Sequence, residues 1–141
     1  MSEDETKKEA CVFLKKELNK KERKKALVIT LSGDLGSGKT VFVKGLAEGL
    51  GIKERVLSPT FVIERRYEVK NEKFSYLIHI DAYRLSSGED LKVLGWDDKV
   101  KDKNNIICLE WPENVSSAIP KETVPVFLGF VSEKERSLRF K

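Results

Sequence analysis

Two uninterrupted apolar runs anchor the reading of this chain: Ala26-Leu27-Val28-Ile29-Thr30-Leu31 and Ile106-Ile107-Cys108-Leu109. The first predicts a buried strand and the second a buried strand of the parallel kind, covered on both faces. Between them the period changes. Phe42, Val43, Leu46, Ala47 and Leu50 fall at helical spacing within Val41 to Leu50, and Gly51 supplies a left-handed cap. Upstream, Cys11, Phe13, Leu14 and Leu18 mark an amphipathic helix that Ser2 and Glu5 start with a capping box. Downstream, Phe61 to Val69 is β-branched and aromatic, Lys70-Asn71-Glu72-Lys73 is turn-like, and Phe74, Tyr76, Ile78 and Ile80 alternate. These two runs predict an antiparallel hairpin. Ser86 or Ser87 caps a short helix through Leu94, Gly95 ends it, and Trp96 to Val100 adds another turn. Val124 to Val131 and Ser137 to Phe140, around a charged turn, form a last pair of strands. The sum is an α/β protein with a mixed parallel and antiparallel sheet flanked by helices in three layers.

The segment joining the first strand to its helix carries the chemistry. Gly33-Asp34-Leu35-Gly36-Ser37-Gly38-Lys39-Thr40 fits the phosphate-binding loop: glycine, four residues, then Gly-Lys-Thr. Small residues let successive N–H groups turn inward around phosphates, the Lys39 ammonium reaches the terminal two, and the Thr40 hydroxyl ligates magnesium. A strand before and a helix after are the setting this loop needs, with the positive end of the helix facing the anion. Residues 34–41 (Asp34, Leu35, Gly36, Ser37, Gly38, Lys39, Thr40 and Val41) are the expected nucleotide contacts, ATP or ADP the expected cofactor, and the fold a P-loop NTPase.

Composition narrows the class. With 141 residues, 40% hydrophobic and 35% charged, one domain spanning 1–141 is expected, without repeat or low-complexity segment. No run reaches bilayer length and the start, Met1-Ser2-Glu3-Asp4-Glu5, is acidic, so a cytoplasmic protein without membrane contact is expected. Cys11 and Cys108 have no metal-ligand or disulfide spacing and read as reduced core residues. The net charge of +4 is concentrated in Lys15, Lys16, Lys20, Lys21, Arg23, Lys24 and Lys25. Such a run is either a solvated helix end or an attraction toward RNA or an acidic partner; without aromatic residues among the lysines, a direct RNA grip is the weaker version.

Two strands end in a carboxylate. Tyr76-Leu77-Ile78-His79-Ile80 delivers Asp81, and the Ile106 run delivers Glu110. Ligands of open α/β sheets collect at the carboxyl ends of strands, so both acids are candidates for the phosphate site. One holds magnesium while the other orients or deprotonates the attacking water; spacing leaves open which does which. His79 reads as a packing or structurally bonded residue. Thr60, after Pro59, sits where many phosphate-loop proteins sense the terminal phosphate.

The phosphate loop, Ser58-Pro59-Thr60-Phe61, His79-Ile80-Asp81-Ala82-Tyr83-Arg84-Leu85 and Glu110-Trp111-Pro112, in this order and spacing, resemble the TsaE (YjeE-like) ATPases. The resemblance implies a bacterial protein required for threonylcarbamoyladenosine in tRNA. It implies an ATPase that docks on a TsaD–TsaB heterodimer and resets it between turnovers, meeting tRNA only indirectly. By the same resemblance Thr40 and Glu110 take magnesium, Asp81 is catalytic or positions water, Lys39 and Thr60 serve catalysis, and Trp111 lies near the nucleotide. The segment near Thr6 and Arg136 border the adenine or phosphates.

A small metabolite or nucleoside kinase is the alternative. It requires an acceptor pocket and an arginine-rich lid, and Arg65-Arg66 is the only close arginine pair. With no arginine placed as a finger, hydrolysis by the isolated protein is expected to be slow and partner binding to accelerate it.

Overall fold

In the computed structural model, which describes residues 2–20, 23–33, 38–59, 62–70, 73–130 and 136–140, the apolar runs become a six-stranded sheet. The elements are α1 (Glu3–Leu18), β1 (Leu27–Ser32), α2 (Lys39–Gly49), β2 (Glu64–Glu68), β3 (Tyr76–Asp81), α3 (Gly88–Val93), α4 (Trp96–Lys101), β4 (Asn105–Glu110), a 3₁₀ segment (Pro112–Ala118), β5 (Val124–Phe130) and β6 (Arg136–Phe140). Strand order is β2-β3-β4-β1-β5-β6. The inner four strands are parallel, and β2 and β6 pair antiparallel at the two edges. β4 is buried along its whole length and β1 nearly so, as the uninterrupted apolar runs require.

Alternation along the strands divides the core. Leu27, Ile29, Leu31, Leu77, Ile106 and Cys108 face α1 and α2, whose Phe13, Leu14, Phe42 and Leu46 cover them. Val28, Ile78, Ile80, Ile107 and Leu109 face the other way, under Leu91, Trp96 and Val115. The predicted three layers are therefore present. The two helices of the first layer run side by side in the same direction. A Cβ on Gly45 would stand 2.7 Å from Lys7 Cα, and one on Gly49 would meet Cys11 Sγ at 3.4 Å. Hydrogen at Gly45 permits this approach, and it brings the Ser2 end of α1 to the Lys39 end of α2.

Local signals behave as their chemistry dictates. Ser2 and Glu5 close the capping box, and those hydrogen bonds hold the Glu5 carboxyl below its ordinary range. Gly51 and Gly95 adopt φ of 77° and 79°, the left-handed values that glycine tolerates. Of the two candidate serines, Ser87 is the N-cap of α3, and the Asp90 carboxylate accepts from the N–H groups of both.

Some boundaries move. α2 starts at Lys39 rather than Val41, because Gly38 already serves as its N-cap. β2 starts at Glu64 rather than Phe61, because the Pro59 carbonyl accepts from Val62 and Ile63 N–H and turns the chain there. β3 starts at Tyr76 rather than Phe74; the N–H groups of Ser75 and Tyr76 meet the Asn104 carbonyl instead of a strand partner. Cys11 is half-buried rather than core, its thiol donating to the Gly45 carbonyl, whereas Cys108 is fully buried. Among the described residues no helix is long and apolar enough to cross a membrane.

Candidate functional site

The register of the inner strands gathers the site. β4 lies between β1 and β3, pairing Leu31 with Glu110 and Glu110 with Asp81. The carboxyl ends of β1, β3 and β4 thus lie side by side about 4.8 Å apart. The phosphate loop leaves from the first, and a carboxylate ends each of the other two. Gly38, with φ of 100°, opens α2 in a conformation a side chain would strain, and Lys39, Thr40 and Val41 form its first turn.

Lys39 is only 6% exposed and joins the parts together. Its ammonium donates to the Gly33 carbonyl at 2.6 Å, stands 3.7 Å from Glu110 Oε1 and lies 4.3 Å from the centre of the Trp111 ring. Glu110 is 4% exposed, and its other oxygen, Oε2, accepts from His79 Nε2 at 2.5 Å. His79 is completely buried. Asp81 is also buried; its Oδ1 accepts from Tyr83 N–H at 2.9 Å, fixing the carboxylate at the strand end. The adjacent Ala82 N–H donates to the Glu110 carbonyl, which ties the exits of β3 and β4 together.

Backbone strain marks the same place. Among the described residues, Ile63 (φ 71°) and Trp111 (φ 58°) are the non-glycine positions with positive φ, each costing about 1–2 kcal/mol. Ile63 receives Asp81 N–H on its carbonyl, so the turn after Pro59 is fastened to the end of β3. Trp111 follows Glu110 directly. Its ring meets Tyr83 edge-on at 5.0 Å, and Pro112 then starts the 3₁₀ segment, which Asn114 anchors on the carbonyls of Ala82 and Tyr83. Sequence reasoning missed this 3₁₀ segment; Pro112 right after the strand end was its signal.

The donor set suits magnesium. One carboxylate and one hydroxyl, Glu110 and Thr40, are oxygen ligands of the kind this ion takes while phosphates and water complete its shell. Among the described residues no cluster of three or more His, Cys, Asp or Glu side chains forms a dedicated metal cage. Cys108, two residues before Glu110, is no nucleophile: burial first, then the Glu110 charge, pushes its thiol far above the ordinary value.

The remaining expected residues divide. Asp34, Leu35, Gly36, Ser37 and Thr60 lie outside the described residues. Arg136 is the first residue of β6, paired with Phe130 at the carboxyl end of β5, and so on the loop side of the sheet. Thr6 is buried in α1, its hydroxyl bonded to the Ser2 carbonyl. Arg65 and Arg66 form no lid: Arg65 donates to the Ser58 carbonyl, and Arg66 lies over the Tyr76 ring. His79, expected to be structural, is bonded to a site carboxylate; its place two residues before Asp81 on one strand face was the available signal.

Comparison with known proteins agrees with this geometry. The family model for threonylcarbamoyl adenosine biosynthesis protein TsaE matches residues 2–138. The tRNA threonylcarbamoyladenosine biosynthesis protein TsaE of Borreliella burgdorferi is 45% identical over 95 residues, covering 67% of this chain and 66% of that protein. Its namesakes in Treponema pallidum and Bacillus subtilis are 40% and 39% identical, covering 79% and 80% of this chain and 78% and 68% of theirs. The crystal structure of Bacillus subtilis YdiB superposes with a TM-score of 0.74 at 31% identity, over 99% of this chain and 80% of that one. Overall superposition and sequence therefore agree, and the chain belongs to the TsaE family of tRNA threonylcarbamoyladenosine biosynthesis proteins.

Proposed function

We propose that this chain is a cytoplasmic P-loop ATPase that binds ATP with magnesium, hydrolyses it slowly, and supports threonylcarbamoyladenosine formation by docking on a TsaD–TsaB complex. One observation carries the reading: the buried Lys39 ammonium, at the start of α2, sits between a loop carbonyl, the Glu110 carboxylate and the Trp111 ring. A cation in that position, backed by a helix N-terminus, is the centre of a polyphosphate site.

Each residue then has a task. Residues 34–41 wrap the phosphates, and Lys39 exchanges its carbonyl for phosphate oxygens. Thr40 and Glu110 hold magnesium, which offsets the phosphate charge. Asp81 orients the attacking water, and Thr60 senses the terminal phosphate. Trp111 borders the nucleotide, with Arg136 and the Ser2 end of α1 at the rim. Phosphoryl transfer needs positioning and charge neutralisation, and this set supplies both.

Incubation with ATP, magnesium and candidate acceptors tests the reaction. ADP with free phosphate is expected, slow alone and faster with TsaD and TsaB; a labelled acceptor would instead establish a kinase. Co-purification with tagged TsaD and TsaB, with and without ATP, tests the docking, and no association under either condition would refute it.

A further inference from the structure

We propose that His79 is a positioning residue that holds Glu110 in its metal-ligating orientation, a role that rests on the reading of Glu110 as a magnesium ligand. The register pairs His79 with Cys108 and Asp81 with Glu110, so the imidazole starts one step back along the sheet on the same face as the two acids. From there it reaches Glu110 Oε2 at 2.5 Å. A carboxylate oxygen only accepts, so Nε2 carries the hydrogen.

Two further facts favour positioning over plain packing. The ring is completely buried, yet among the described residues its Nδ1 has no hydrogen-bond partner. The bond to Glu110 is thus the polar contact that fixes the ring, and a leucine of similar volume would fill the space without leaving Nδ1 unsatisfied. The two glutamate oxygens are also used differently. Oε2 is held by His79, while Oε1 faces the Lys39 ammonium at a loose 3.7 Å. Fixing one oxygen leaves the other facing Lys39 at the start of α2, the arrangement by which a partner of a ligand sharpens metal affinity.

The test reads metal affinity directly. Mn(II) is titrated into the protein–ADP complex and followed by electron paramagnetic resonance, with ADP affinity in chelator measured by calorimetry. His79→Leu is expected to weaken Mn(II) binding roughly 10–100-fold while metal-free ADP affinity stays within about 2-fold, and His79→Gln, which keeps a donor near Nε2, to restore most of the loss. Wild-type Mn(II) affinity in His79→Leu, beside a weakened Glu110→Gln, would overturn the positioning role alone. Unchanged Mn(II) affinity in Glu110→Gln would overturn the site reading with it.

A second measurement needs no substitution at His79. It is the one histidine of the chain, so ¹⁵N-histidine labelling gives a single imidazole signature. Nε2 should be the protonated nitrogen in the ADP complex, and its signal should move when magnesium is added to wild type but not to Glu110→Gln. A nucleotide complex with Nε2 unprotonated, or a signal indifferent to magnesium, would refute the proposal.

Discussion

Two glutamates in this molecule are equally buried and differently satisfied. Glu17, in the last turn of α1, is 6% exposed; its two oxygens accept from Arg23 at 2.6 Å and Lys20 at 2.9 Å. Both cations lie within hydrogen-bond range and reach in from more exposed positions, offsetting burial and the unfavourable dipole of a helix C-terminus. Glu110, at the end of β4, is 4% exposed, but its cation stands off at 3.7 Å and donates to the Gly33 carbonyl instead. Glu17 belongs to a closed cluster. Glu110 is held on one side by His79 and left loosely matched on the other, beside the strained backbones of Ile63 and Trp111. The first arrangement secures the end of a helix, and the second leaves one carboxylate oxygen without a close cation, as the proposed magnesium role requires.

Substitutions should separate these roles. Lys39→Ala is expected to have the largest effect: removing charge-assisted contacts of roughly 1.5–3 kcal/mol each lowers nucleotide affinity about 10²–10⁴-fold by calorimetry, with circular dichroism unchanged. Affinity within 3-fold of wild type would place the site elsewhere. Next comes Asp81→Asn, which should keep ATP bound and slow its hydrolysis by about 10²-fold in a phosphate-release assay. Hydrolysis at the parental rate removes Asp81 from the chemistry.

Glu17→Ala reverses the pattern. Losing the acceptor of two buried-side hydrogen bonds should reduce unfolding free energy by about 1–3 kcal/mol in a urea titration, with ADP affinity unaltered. A change in affinity without a change in stability would dissolve the distinction between the two glutamates.

The smallest effect is expected at the half-exposed Asp90. The Ser86 N–H first, then the Ser86 hydroxyl and Ser87 N–H, hold its carboxyl below the ordinary value, against a small opposing effect of burial. A depressed folded-state pKa stabilises the protein above the unfolded value, and that contribution disappears as pH falls through the folded one. Asp90→Ala should therefore lower the melting temperature slightly at neutral pH and converge with wild type in acid; equal melting curves at neutral pH would show the cap to be inert.

Sequence reading reached far where the determinants were local. The capping serine of α1, the glycines at 51 and 95 and the continuous apolar runs of β1 and β4 each specify their own conformation. A β-branched, aromatic run and an apolar one around a polar turn also sufficed for the β2–β3 pair, though β3 is buried at five of its six positions rather than alternating. Less legible were the short Pro112–Ala118 segment and the late start of β2, because both depend on hydrogen bonds to other chain segments or on the turn at Pro59.

Residue types within a few positions of each other thus determined that a polyphosphate loop, two strand-end acids and a histidine would be present. Strand order alone put β4 between β1 and β3, and this made Glu110 rather than Asp81 the neighbour of Lys39. It also gave His79, read as packing or structurally bonded, its partner in Glu110, across a sequence separation of 31 residues. Spacing along one strand fixes the face a side chain takes, but contacts between parallel strands depend on which strands become neighbours, and only the assembled sheet decides that.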